Sequence, residues 1–217
     1  MKNIPRIFMG TDIKSGNIIP VDKSVSHYLS HVMRRNDCLV FGDGNEYTAT
    51  LIDDGKKIMI GEKTSHPDPS GNIILYFAPI KKLDDMLNMA TQMGVKKFVP
   101  VITERTVANH INWERMRKIV IEAAEQSNRN SVPEIASQIK FADLPFSDLV
   151  FADERAAHGR EMPDKYTCAT SVLVGPEGGF SDSEFEILDK NGARPISLGN
   201  TILRAELAAQ IVIAKVS

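Results

Sequence analysis

Cysteine is nearly absent from this sequence. Cys38 and Cys168 are the only two in 217 residues, and they form no C-x-x-C pattern. That scarcity argues against a cysteine-built metal centre and fits a reducing cytoplasm. Long apolar runs are missing as well. The longest, Ile73 to Ile80, is far too short to cross a bilayer. The opening MKNIPRIF lacks the apolar core of a secretory signal, so a soluble cytoplasmic protein is expected. There is no excess of positive charge: 26 Lys and Arg face 28 Asp and Glu, for a net charge of −2. Nucleic-acid binders usually carry a basic domain or stripe, so bulk charge speaks against that class. No internal repeat, low-complexity segment, G-x-G-x-x-G or P-loop occurs. What is present is a 42% hydrophobic, 25% charged composition, which supplies an ordinary globular core.

The composition changes at His66-Pro67-Asp68-Pro69-Ser70-Gly71, where two prolines and a glycine read as a linker. Before it, strand-like runs at Arg6–Met9, Cys38–Phe41, Glu46–Ile52 and Lys57–Ile60 surround one helical patch, Lys23 to Arg34. Gly42-Asp43-Gly44-Asn45 reads as a hairpin turn. This first part, residues 1–69, is expected to be a small β-barrel. After the linker, residues 71–217 alternate strand and helix, the rhythm of an α/β sheet. Ile73–Ala78, Lys97–Ile102, Leu149–Ala152, Val172–Val174 and Pro195–Leu198 are the expected strands. Helices are expected over Leu83–Met93, stopped by Gly94, and from Trp113 to about Asn128, capped by Asn112. Two more follow, Ser181–Asn191 and Arg204 to about Val216.

Two loops carry the chemical signal. In SVLVGPEGGFSDSE a buried strand runs into Gly175-Pro176-Glu177-Gly178-Gly179, and Ser181 with Glu184 then forms an S-x-x-E capping box. A strand end, glycines and a helix start are where α/β proteins bind ligands, because backbone N–H groups are free and the helix adds partial positive charge. A plain tight turn is the competing explanation. ISLGNTILRAELAAQIVIAKV repeats the arrangement at Ile196–Val216. Two such loops at neighbouring strand ends could clamp one flat ligand between backbones.

LVGPEGGFSDSE followed by LGNTILRAELAA resembles the ribosomal RNA small subunit methyltransferase E family. MGVKKF (Met93–Phe98), VPVITERTV (Val99–Val107), EAAEQSNRNSVPEI (Glu122–Ile135) and the opening RIF…HYLSHVMR extend the similarity over nearly the whole chain. The resemblance implies an N-terminal PUA-like β-barrel for RNA recognition. It also implies a C-terminal α/β domain of the SPOUT class with a deep trefoil knot, and a homodimer formed through that domain. The implied reaction is S-adenosylmethionine-dependent methylation of uridine N3 in the decoding region of 16S rRNA in the small ribosomal subunit, without metal. Leu173, Gly175, Gly178, Gly179, Ser197, Leu198, Gly199, Ile202 and Leu203 are the implied donor contacts. Thr201 stands where the family commonly has arginine, and Leu207 where it has threonine. Asn88-Met89 and Gln92 likewise replace residues that are commonly polar or charged.

Arg204 opens the last helix, where the helix dipole disfavours a cation. Either a ligand anion or a salt bridge to Glu206 or Glu177 would justify it. Arg204 is the expected stabiliser of negative charge on the uracil, and Glu206 or Glu177 the expected base. Arg6, Arg34, Arg105 and Arg129 are the expected RNA contacts; a structural ion-pair network is the alternative for Arg105, Arg129 and Arg155. Two other classes compete with this reading: a methyltransferase acting on tRNA or a small molecule, and a catalytically silent RNA-binding module.

Overall fold

The computed structural model describes residues 4–42, 44–107, 111–167 and 169–217; Cys168, and Asp43 of the expected turn, lie outside them. The chain divides into two compact units, Met1–Ser70 with Ile121–Val132, and Gly71–Val120 with Pro133–Ser217. The linker marks the first break. The return of Ile121–Val132 to the first unit leaves no trace in composition.

In the first unit, β1 (Arg6–Phe8), β2 (Ile18–Pro20), β3 (Asp37–Phe41), β4 (Glu46–Ile52) and β5 (Lys57–Lys63) form a five-stranded sheet in the order β1-β3-β4-β5-β2. The β1–β3 pair is parallel and the other pairs are antiparallel. Along β4, Tyr47, Ala49 and Leu51 turn inward while Thr48 and Thr50 face water, the period-2 pattern of a sheet covered on one face. They join Val40, Ile58, Ile60 and Leu29 in one core. The helical patch is α1 (Lys23–His27), which widens into π-helical turns over Tyr28–Met33 and stops at Arg34 in the left-handed region (φ 54°).

Arg6 and Arg129 are buried here, which corrects their expected role as RNA contacts. Arg6 Nε pairs with Glu46 Oε2 at 2.8 Å, and Arg6 Nη2 donates to Arg129 O and Asn130 Oδ1 at 3.0 and 2.7 Å. Its Nη1 reaches the carbonyls of Ala124 and Glu125, at the end of a helix where a cation is favoured. Arg129 is 1% exposed and donates from Nε to Ser70 Oγ. A guanidinium so enclosed has no face left for a phosphate. The linker is tied down as well, since Asp68 Oδ1 accepts from Asn130 N and Ser70 Oγ.

The second unit starts with β6 (Ile74–Phe77), α2 (Leu83–Gln92) and β7 (Lys97–Ile102). Helix α3 (Trp113–Gln126) follows, and its last residues count with the first unit. Then come β8 (Glu134–Ile135), β9 (Ile139–Lys140), β10 (Leu149–Ala152), β11 (Ser171–Val174), α4 (Asp182–Lys190), β12 (Arg194–Ile196) and α5 (Ala205–Val216). The sheet is parallel throughout, in the order β12-β10-β11-β6-β7-β8, with β9 also on β7. Its central strands LVFA and SVLV are almost wholly buried, as a parallel sheet covered on both faces requires.

Local caps set the helix boundaries. Asn112 Oδ1 accepts from Arg115 N, Gly94 closes α2 at φ 88°, and Ser181 and Glu184 form the reciprocal capping box of α4. No helix among the described residues is long and apolar enough to cross a membrane.

Strand order positions the site. The chain passes from β10 to β11 on one side, then crosses back to place β12 on the other side of β10. Connections that diverge in this way leave a crevice at the carboxyl ends of the strands.

Candidate active site

A cavity of ≈ 490 Å³ lies at that crevice. Its walls are the segments leaving β10 (Ala152–Glu154), β11 (Val174–Glu177 with Gly179 and Phe180) and β12 (from Leu198 into α5), together with Lys81 and Lys82 ahead of α2. The lining includes Gly175, Gly179, Leu198, Gly199, Ile202, Leu203, Arg204 and Glu206, all expected site residues.

Three expected residues sit elsewhere. Leu173 is fully buried in the core beneath the loop. Ser197 shapes the second loop from behind: its N–H donates to Pro163 O at 2.8 Å, and its Oγ accepts from Gly199 N at 3.2 Å. Gly178 faces an adjoining cavity of ≈ 600 Å³, with Lys81, Glu104, Arg105, Thr106 and Glu177.

The two loops expose backbone in different ways. Gly179 has φ +67°, and a Cβ there would overlap the Glu154 carboxylate. Gly199 has φ +116°, a conformation only glycine adopts without strain. Beyond it, among the described residues, no backbone N–H from Asn200 to Arg204 donates to a protein acceptor. Unpaired donors beside a concave, largely apolar wall fit a ligand recognised through main-chain groups.

The first loop is braced from outside. Arg105 Nη1 donates to Gly178 O at 2.9 Å and to Phe180 O at 3.2 Å. Ser181 Oγ donates to Glu104 Oε2 at 2.7 Å, and Glu184 Oε1 accepts from Glu104 N at 2.8 Å. Hydrogen bonds from Ser181 and then Ser183 hold the Glu104 carboxyl below its ordinary pKa. Arg155 is structural. It binds Asp153 through Nε and Nη2 and Asp189 through both Nη atoms, and its guanidinium lies 3.9 Å from the Phe185 ring centroid.

Four carboxylates line the cavity at the strand crossover, and three are engaged. Arg155 holds Asp153; Glu177 Oε1 accepts from Lys81 N at 2.9 Å; Glu206 lies 3.9 Å from Lys82 Nζ. Neither Glu177 nor Glu206 pairs with Arg204, whose exposed guanidinium has no hydrogen bond or ion pair among the described residues. Glu154 is the fourth. Burial, then the charge of Asp153, raises its pKa. Sequence reading passed over Lys81, Lys82 and Glu154, because nothing local to them announces the lateral order of three strand ends. Arg34 is exposed, as a contact residue would need to be.

Residues 66–217 match the RNA methyltransferase domain family. The ribosomal RNA small subunit methyltransferase E of Rickettsia conorii is 36% identical over 210 residues, covering 88% of this chain and 85% of that protein. Its counterpart in Aquifex aeolicus is 28% identical over 222 residues, 96% of this chain and 97% of that one. The crystal structure of a ribosomal RNA small subunit methyltransferase E from Neisseria gonorrhoeae, bound to S-adenosyl methionine, superposes with a TM-score of 0.82 at 26% identity, covering 98% of this chain and 96% of that one.

Proposed function

The chain belongs to the ribosomal RNA small subunit methyltransferase E family, and from that premise we propose that it uses S-adenosylmethionine to methylate N3 of one uridine in the decoding region of 16S rRNA. The observation that carries the reading is the cavity at the strand crossover, with its run of unpaired N–H groups from Asn200 to Arg204 among the described residues. Its volume suits a ligand of nucleoside size, and the Neisseria gonorrhoeae relative is bound to S-adenosyl methionine. The bound donor supplies a methyl group on a positively charged sulfur.

The protein's own part is positioning and charge. Gly175, Gly179, Leu198, Gly199, Ile202 and Leu203 hold the donor against backbone, with Leu173, Gly178 and Ser197 supporting the loops. Arg204 stands at the start of α5, where the dipole disfavours a cation, and it stabilises negative charge growing on the uracil oxygens. Glu206 sits beside it on the cavity wall as an orienting carboxylate.

The finer architecture belongs to the same proposal. The second unit is a SPOUT domain with a deep trefoil knot. The first is a PUA-like module that meets 16S rRNA in the assembled small subunit, in the cytoplasm, with Arg34 among its contacts. The protein is a homodimer through the second unit: Leu207 on α5 is 46% exposed, and a second copy covers it.

Calorimetry with S-adenosylmethionine in the presence of EDTA tests the donor site. Undiminished binding is expected, because no metal is assigned to it; loss of binding in EDTA contradicts this account of the site.

A further inference from the structure

Uridine N3 carries a hydrogen, and its methylation requires a group that takes that proton as the nitrogen attacks. A group suited to this must reach the cavity, be free of strong hydrogen bonds and hold a proton more readily than an exposed carboxylate. Asp153 fails the second condition. It is 2% exposed and accepts from Arg155 N, Nε and Nη2. Glu177 is committed to the Lys81 N–H, and Glu206 lies near Lys82.

Glu154 differs from all three. Its carboxylate abuts the backbone of Gly179, filling the space a Cβ there would take, and it lines the cavity. Among the described residues it makes no hydrogen bond and no ion pair. A half-buried carboxylate without a donor is unfavourable in the free protein. Such a group is retained where a ligand supplies the missing proton donor. Strand β10 and the turn after it fix its place: the neighbouring Asp153 caps that turn and is clamped by Arg155, which is itself held by Asp189 on α4.

We propose that Glu154 is the proton acceptor for uridine N3, an assignment that rests on the reaction proposed above. The N3–H bond breaks and the proton passes to a Glu154 oxygen. The electron pair left on N3 forms the new bond to the methyl carbon, and the pair of the broken carbon–sulfur bond returns to sulfur as a neutral thioether. Glu154 then loses the proton to solvent.

The electrostatic surroundings agree. Burial and Asp153 push the Glu154 pKa up, against the pull of Arg105, His158 and Arg155. The remaining charges on the wall are Lys81, Lys82 and Arg204 on one side of the balance and Glu177 and Glu206 on the other. A base with raised proton affinity makes the reaction rate fall, as pH drops, at a higher pH than an ordinary glutamate would give.

The test compares wild type with Glu154→Gln and Glu154→Asp. In Glu154→Gln, calorimetric donor affinity stays within about threefold of wild type. The single-turnover rate on small subunits lacking the modification, at saturating donor, falls at least about 100-fold. Glu154→Asp recovers part of the rate, and the acid limb of the pH–rate profile is absent from Glu154→Gln. Carbon-13 NMR of the donor-free protein shows the Glu154 carboxyl titrating above the ordinary glutamate range. An undiminished rate in Glu154→Gln overturns the proposal. So does a loss of donor affinity fully rescued by saturating donor, or a carboxyl that titrates at or below the ordinary range. Wild-type product methylated elsewhere than uridine N3 overturns the assigned reaction and this role with it, whereas a failure confined to the Glu154 variants overturns the role alone.

Discussion

Arg105 Nη1 donates to the carbonyl oxygens of Gly178 and Phe180, so a cation expected on RNA braces the glycine loop. Its guanidinium fixes the direction of the Gly178–Gly179 and Phe180–Ser181 peptides, at the wall of the cavity that Gly179 and Phe180 line. Arg105→Ala is therefore expected to weaken donor binding. The side chain is exposed, so the loss is near the low end for a charged hydrogen bond, about 1 kcal/mol or roughly fivefold in affinity. Calorimetry with S-adenosylmethionine checks this. Unchanged donor affinity together with a reduced salt slope in RNA binding would return Arg105 to the phosphate backbone.

Gly179→Val removes the donor site more completely. The side chain must adopt φ +67° and would overlap the Glu154 carboxylate. The left-handed conformation alone costs about 1–2 kcal/mol. The expected outcome is a folded protein by circular dichroism with a lower midpoint of thermal unfolding and no measurable donor binding.

Arg6→Met tests the structural reading of a residue first taken for an RNA contact. It leaves Glu46 buried without its ion-pair partner and removes the cation from the carbonyls of Ala124 and Glu125. Breaking one side of a buried pair typically costs about 3–5 kcal/mol. Urea unfolding is expected to show a loss of that order, and the double variant Arg6→Met/Glu46→Met to recover part of it.

Ser181 links a helix cap to an ionisable group. The bonds from Ser181 and Ser183 depress the Glu104 pKa below its unfolded value. Stability from this contact is therefore complete above the ordinary glutamate range, and it is lost as pH falls through the lower folded value. Urea midpoints of wild type and Ser181→Ala should differ most near neutral pH and converge as the solution is acidified. A gap that widens in acid would contradict the sign of the shift.

The predicted dimer is checked by light scattering at micromolar concentration. Wild type is expected at twice the chain mass and Leu207→Glu at the chain mass, because a charge would be buried where Leu207 is covered.

Much of this was legible in sequence where the signal is local. The caps at Asn112, Gly94 and Ser181–Glu184 depend on residues within one turn, and each appears as read. Lys97–Ile102 and Leu149–Ala152 were recognisable as strands because buried parallel strands are apolar without interruption. Ile18–Pro20 was not: a three-residue edge strand ending in proline carries almost no periodic signal. The glycine loops were readable for the same local reason, while their neighbours were not. Arg6 looks like any surface arginine until Glu46 and the end of α3 close over it, contacts that are far apart along the chain. Glu154 becomes notable only when the crossover of β11 and β12 about β10 brings Gly179 against it.

The central claim concerns the atom that receives the methyl group. Small ribosomal subunits from cells lacking the protein are incubated with it and S-adenosylmethionine carrying a labelled methyl group, and the rRNA is digested to nucleosides for mass spectrometry. The account predicts label in 3-methyluridine, from a single position in the decoding region of 16S rRNA. Label on carbon-5, on a ribose oxygen or in tRNA alone would contradict it.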